Sequence, residues 1–272
     1  MSESEPIIRL ENVHKAFDGV QVLKGLDLEV HAGRTTVVIG PSGCGKSVLL
    51  KHMVGLIRPD RGRVLFDGRE ISSMRHRELS DIRQRMGFLF QGAALFDSMT
   101  VEQNICFPLE EHGIGTRQDR RDRCDEVLAL VGLEGMQNRM PEDLSGGEKK
   151  RVGLARAIAT GPDVIFYDEP TTGLDPMRAD LIDELILRLQ RVLGATAVVV
   201  THDLRSARKV GDRVLMLHQG RFIADTTPRA LESVENETVA RFVEGRAGAE
   251  ELARLDRGSL HNSLDTAEEK TT

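Results

Sequence analysis

One junction constrains this chain more than any other feature. The β-branched run TTVVIG (35–40) passes directly into GPSGCGKS (40–47), which opens the helical stretch VLLKHMVGLI. A short apolar strand that runs through glycines into a helix is the phosphate-loop arrangement. It needs a parallel strand buried on both faces and a helix packed beside it, so it points to an α/β sheet. Glycines let backbone N–H groups converge on phosphate oxygens, and the helix start adds roughly half a positive charge. Gly40, Pro41, Ser42, Gly43, Cys44, Gly45, Lys46, Ser47 and Val48 form the expected cradle. In it Lys46 reaches the β- and γ-phosphates and the Ser47 hydroxyl binds Mg²⁺.

The remaining segments read as strands and helices around that junction. IIRLENVHKAF and LKGLDLEV are β-type runs separated by Asp18-Gly19, a hairpin signal. The helix after the loop is expected to stop near Pro59, and RVLFDG and RMGFLFQ follow as strands. Residues 92–160 change character. VEQNICFPL, RQDRRDRCDEVLALVGL and GGEKKRVGLARAIA are helical in pattern, which predicts a helical subdomain inserted into the core. DVIFYDEP (strand), RADLIDELILRLQRVL (helix), TAVVVTHD (strand), a short helix and VLMLHQGRFIAD (hairpin) then resume the core. Strands alternating with helices imply a mostly parallel sheet, here with an antiparallel β subdomain. The expected organisation is one domain over 1–245, with 7–91 and 161–235 as its core and 92–160 as its helical part. Residues 246–272 are a polar extension, mobile at its end.

A second helix start carries similar chemistry. In DLSGGEKKR (143–151) a hydroxyl cap and two glycines open a basic helix, another anion-binding end. DVIFYDEP buries a strand whose C-terminal end presents Asp168 and Glu169, at the edge where open α/β sheets hold ligands. Two adjacent acids are usually a solvated pair. At this edge one fits the Mg²⁺ shell and the other a base that orients water for in-line attack. His202 follows the strand VVVTHD, where it is expected to touch a γ-phosphate. Gln91 ends the strand LFQ and is placed to sense both metal and attacking water.

Composition excludes several alternatives. No apolar run approaches the ~18 residues of a membrane span, and the acidic start MSESEPIIRL lacks the layout of a signal peptide, so no export is expected. A net charge of −6, no tryptophan and a single tyrosine, Tyr167, argue against a nucleic-acid partner. Cys44, Cys106 and Cys124 lack metal-ligand spacing and read as thiols of a reducing compartment. Alkylation of Cys44 is expected to block nucleotide.

The ordered set GPSGCGKS, Gln91, LSGGE, VIFYDEP, LDP and THD resembles the ATP-binding cassette (ABC) ATPases over roughly residues 7–225. The resemblance implies that Phe17 stacks on adenine, that Asp168 is the Mg²⁺-associated carboxylate and Glu169 the catalytic base. It makes His202 the switch histidine and Asp175 the residue that links two sites across a dimer. It also gives the second helix start a role. Two copies pair head to tail, so that Leu144, Ser145, Gly146, Gly147 and Glu148 of one form the signature loop that caps ATP held by Lys46 of the other. Glu148 stands where the family usually has Gln, and Val48 where it often has Thr; neither change removes a catalytic group.

Within the family, ALFDSMTV followed by an N-x-x-FPL-x-EH run resembles the ATPases of Mla-type, MCE-associated lipid transporters, as do LSGGEKKRVGLARAIA and FVEGRAG. That resemblance implies a homodimer beneath integral-membrane permease subunits, at the cytoplasmic face of a bacterial inner membrane. An MCE-domain lipid-binding protein on the far side would carry phospholipid, and a small regulatory subunit is a further implied partner. Residues 236–257 are either a dimer brace or a solvated extension. Two other readings stay open: the ATPase of another permease, such as a polar amino-acid importer, and a non-transport clamp or regulatory ATPase.

Overall fold

The computed structural model describes residues 5–246. Strands β1 (Pro6–Phe17) and β2 (Val20–His31) form the hairpin signalled by Asp18-Gly19, whose φ angles are 48° and 80°. With β4 (Arg61–Phe66) and β5 (Arg69–Glu70) they build an antiparallel sheet of order β2-β1-β4-β5. The second sheet holds β3 (Thr35–Ile39), β6 (Met86–Leu89), β7 (Val164–Asp168), β8 (Thr196–Thr201), β9 (Arg213–His218) and β10 (Arg221–Thr226). Its order is β10-β9-β3-β8-β7-β6, parallel throughout except for β10.

Both faces of this sheet are covered, so alternate residues of each strand enter different cores. Val37, Ile39, Ile165, Tyr167, Ala197, Val199, Val214 and Met216 face one cluster. Val38, Val164, Phe166, Val198, Val200, Leu215 and Leu217 face the other, shared with the antiparallel sheet and with helix α1 (Lys46–Met53). Helix α1 ends at Met53, short of the expected stop near Pro59. Gly55 takes φ 65°, and the N–H groups of Gly55 and Leu56 turn back to the carbonyls of His52 and Lys51. This glycine-type cap ends the helix before proline is reached.

Helix α2 (His76–Gln84) had no counterpart among the sequence expectations. Leu79 and Ile82 are its buried apolar residues, too few for a periodic signal, and the Glu78 side chain accepts from the Arg75 N–H at 2.7 Å. Residues 92–160 carry α3 (Val101–Glu111), α4 (Arg117–Leu130) and α5 (Gly146–Ile158) and no strand. Thr100, Thr116 and Ser145 cap these helices, each answered by the side chain three residues on. Their apolar faces join Leu89, Ile165 and Tyr167 in one continuous cluster, so the helical part packs directly on the sheet.

Helices α6 (Pro176–Leu193), α7 (Leu204–Val210) and α8 (Glu237–Glu244) complete the described chain. Of the segment 236–257, only 236–246 is described. There α8 lays Val239, Phe242 and Val243 on the large cluster of its own chain. The polar extension from 247 lies outside the described residues.

Asp183 of α6 is buried against α7. Its Oδ2 accepts from Ser206 Oγ at 2.9 Å, while Oδ1 has no partner among the described residues. Burial pushes its carboxyl up to about 6; the Ser206 bond and Lys209 oppose this, and the charges of Asp203 and Asp180 add to it. The folded chain thus holds this proton more tightly than the unfolded chain, whose carboxyl titrates near ~3.9. Its contribution to stability falls as pH rises from about 4 through 6. Asp183→Asn should therefore raise Tm more at pH 8 than at pH 5. Equal shifts at the two pH values would rule the buried charge out as the cause.

Candidate functional site

The parallel register brings the C-terminal ends of β3, β7 and β8 to one edge. Ile39 pairs with Thr201, and Val200 with Asp168. The residues that follow these strands therefore meet by construction: Gly40 after β3, Glu169 after β7 and His202 after β8.

The loop 40–47 is shaped by close approach. Gly40 has φ 153°, and a Cβ there would lie 2.2 Å from the Leu217 carbonyl oxygen and 2.9 Å from Cys44 Sγ. Gly45 has φ 109° and precedes α1, with Val22 and Leu23 of the hairpin against it. Lys46 is buried, its Nζ donating to the carbonyls of Gly40 (2.8 Å) and Pro41 (3.1 Å) and lying 3.4 Å from Glu169 Oε1. Ser47 Oγ donates to Asp168 Oδ1 at 3.0 Å. Val48, like Cys44, packs on the cluster beneath the loop. Burial pushes the Cys44 thiol up, against the opposing charge of Lys46.

Glu169 is the most constrained of these groups. It is buried, at φ 49°, and its N–H donates to the Val200 carbonyl at 2.9 Å. Its Oε2 accepts from His202 Nδ1 at 2.8 Å and from Thr172 Oγ1 at 3.1 Å. The adjacent Asp168 carboxyl is raised, chiefly by burial, with the Glu169 charge adding and the Ser47 hydroxyl opposing. The pair thus has divided surroundings: Asp168 faces a hydroxyl, Glu169 a lysine and a histidine.

Among the other expected residues, only Gln91 departs from its expected place at a strand end. Gln91 lies in a turn two residues beyond β6 and is exposed; its carbonyl accepts from Lys150 Nζ. Phe17 is 43% exposed at the hairpin tip, opposite Val20, with Lys15 Nζ 5.4 Å from its ring centre. Asp175 caps α6, accepting from the N–H groups of Met177 (3.1 Å) and Arg178 (3.0 Å).

At the second helix start, Leu144 is buried and Ser145 caps α5. The Ser145 N–H and Oγ donate to Glu148 Oε2 at 2.8 and 2.6 Å, and those bonds hold the Glu148 carboxyl below its usual range. Glu148 at the usual Gln position therefore completes a capping box. Gly146 has open space where a Cβ would be, and Gly147 lies against the Arg178 side chain. An open groove of ≈ 960 Å³ beside the phosphate loop is lined by residues including Ser42, Thr172, His202 and Arg246.

The site's donors suit a magnesium nucleotide. The glycine-shaped loop leaves backbone close to any bound phosphate, and Ser47 with Asp168 presents hard oxygen ligands. Among the described residues no group of three or more His, Cys, Asp or Glu could hold a metal. A hydroxyl–carboxylate pair matches an ion that keeps most of its shell from phosphate and water. Lys150 was not anticipated as part of the site; its only sequence signal is a place one turn into α5, indistinguishable there from a solvated lysine.

Fold and site together define a phosphate-loop nucleotide hydrolase. The sequence model of the family described as ABC transporter matches residues 23–172. A probable ribonucleotide transport ATP-binding protein, mkl, of Mycobacterium tuberculosis is 38% identical over 96% of this chain and 77% of its own length. The methionine import ATP-binding protein MetN 2 of Enterococcus faecalis is 38% identical over 89% and 71%. The intermembrane phospholipid transport system ATP-binding protein MlaF of Haemophilus influenzae is 39% identical over 90% and 92%. A solved dimeric bacterial ABC transporter cassette, MJ0796, superposes with TM-score 0.76 at 35% identity, covering 82% of this chain and 99% of that one. This chain belongs to the ABC transporter family, as an ATP-binding subunit that hydrolyses ATP to drive transport.

Gly40→Ala should weaken ATP binding by about tenfold or more, ~1.4 kcal/mol, because the new methyl meets the fixed Leu217 carbonyl. Calorimetric titration with ATP checks this, and unchanged affinity would mean that the loop relaxes freely.

Proposed function

We propose that this chain powers phospholipid transport between membranes through a permease and an MCE-domain partner. The observation that carries the cargo assignment is the run 94–112, ALFDSMTVEQNICFPLEEH, with its likeness to the Mla group. Ala94, Phe96, Phe107, Pro108 and His112 of this run, with Phe88 and Phe90, line an apolar groove of ≈ 420 Å³ between β6 and α3. An aromatic groove of this kind suits an inserted apolar helix from a membrane partner. The chain would then sit at the cytoplasmic face of the inner membrane, held by its permease. No helix among the described residues is long and apolar enough to cross a membrane itself.

In this reading Phe17 stacks on adenine, the loop 40–48 holds the phosphates and Lys46 turns from its carbonyls to the β- and γ-phosphates. Ser47, Asp168 and Gln91 would hold Mg²⁺, which when bound would supply neutralisation of phosphate charge. Glu169 accepts the proton of the attacking water. Its carboxylate is aimed by the His202 Nδ1 bond and by the left-handed backbone it adopts. His202 itself is half exposed, free to reach the γ-phosphate on its other side. Two copies pair head to tail, and Ser145, Gly146 and Gly147 of one close over ATP on the other while Asp175 links the two sites. ATP thus joins the copies, and hydrolysis releases them. That the similar cassette MJ0796 is dimeric supports a paired form.

A second reading keeps the chemistry and changes the cargo, since relatives named for methionine import and ribonucleotide transport are 38% identical to this chain. Affinity purification of the tagged chain from detergent-solubilised membranes separates the two. A permease recovered with an MCE-domain protein and phospholipid supports lipid transport, whereas a permease with a solute-binding protein replaces it. Glu169→Gln should retain ATP binding, trap a dimer and lose about 10²-fold or more of turnover. Parental turnover in that variant would remove the base assignment.

A further inference from the structure

Lys150 of α5 is buried, and its ammonium is spent on two backbone carbonyls. Nζ donates to the carbonyl of Gln91 and, at 3.2 Å, to that of Glu169. Burial disfavours its charge, and the nearby Asp168 and Glu169 carboxylates favour it. A lysine desolvated onto carbonyls contributes mainly by fixing where they lie.

The same face of α5 holds the rest of the segment that follows β6. Gly153, one turn on, lies so close that a Cβ would meet the Leu89 side chain at 3.0 Å and Ala93 Cβ at 3.2 Å. Arg156 donates to the carbonyls of Ala93 and Ala94, both at 2.7 Å, and its guanidinium lies 6.0 Å from the Phe96 ring centre. Ala93 and Ala94 have φ 61° and 48°, so this segment is held in a backbone form that L-residues seldom adopt unaided. Lys150 is where that grip extends to Glu169, itself at φ 49°.

We propose that Lys150 is a positioning residue for ATP hydrolysis: from the helix that Ser145 caps, it fixes the backbones of Gln91 and Glu169 relative to each other and so aims the Glu169 carboxylate. This rests on the reading of Glu169 as the base. The seating of α5, whose N-terminus would face the partner's ATP, thereby sets the geometry of its own chain's site.

Steady-state ATPase kinetics of the full chain, assayed in its membrane complex, test this. Lys150→Met should lower kcat about 10- to 100-fold, the effect of a misplaced group, with KM for ATP and equilibrium ATP binding within about threefold of the parent. Lys150→Gln keeps a donor of shorter reach and should recover part of the loss. Turnover of Lys150→Met within about twofold of the parent would overturn the proposal. So would an equal loss of ATP affinity and turnover with a lowered Tm and no recovery in Lys150→Gln, which marks a packing role. If Lys150→Met does not fold, Lys150→Ala, which also removes the donor, overturns it instead when its kcat is parental. Glu169→Gln separates the two levels: retained turnover there removes the base reading, whereas its loss beside an active Lys150→Met removes only the role of Lys150.

Discussion

The register of three parallel strands, β3, β8 and β7, is the constraint on which the site depends. Because Ile39 lies opposite Thr201 and Val200 opposite Asp168, the chain leaves each strand at the same level. Glu169 stays tied to β8 through its N–H to Val200 even as its φ turns positive. That turn carries its carboxylate to within 2.8 Å of His202 and 3.4 Å of Lys46. A slip of one residue in β7 would exchange Ile165 and Tyr167 with Val164 and Phe166 between the two cores, so the register is protected by burial on both faces.

Two adjacent carboxylates at a partly dry edge need distinct partners, or their repulsion would protonate one of them. Asp168 is answered by the Ser47 hydroxyl and Glu169 by Lys46 and His202. Lys150 adds a second ammonium from below, bonded to carbonyls. The two carboxylates are thus surrounded by side chains drawn from α1, from the end of β8 and from the helical part of the chain.

The helical part reaches the sheet through α5, and this explains three of its residues. Glu148 closes a capping box on Ser145, a role glutamine also fills, and adds a negative charge at the start of α5. Arg156 and Gly153 seat the segment after β6, whose Phe96 lines the apolar groove proposed to receive the permease. A single rigid helix thereby spans the distance from the capped N-terminus to the rim of the groove.

Much of this was legible locally. The strand–loop–helix junction at 35–47, the hairpin at Asp18-Gly19 and the capped start at Ser145 are short-range features, set by glycine conformations and side-chain caps a few residues away. The order of the ABC motifs along the chain pointed to Lys46, Ser47, Asp168, Glu169 and His202, and folding brings these five together. Helix α2 was not legible, because it is almost wholly polar and held by a few buried residues, nor was the early end of α1 at Gly55. Sequence placed Gln91 at a strand end, whereas pairing with β7 stops β6 at Leu89 and leaves Gln91 in a turn. Lys150 marks the limit most plainly. Its identity and helix were written in the sequence, but its work depends on carbonyls 59 and 19 residues away, and only the packing of α5 on the sheet brings them to one ammonium.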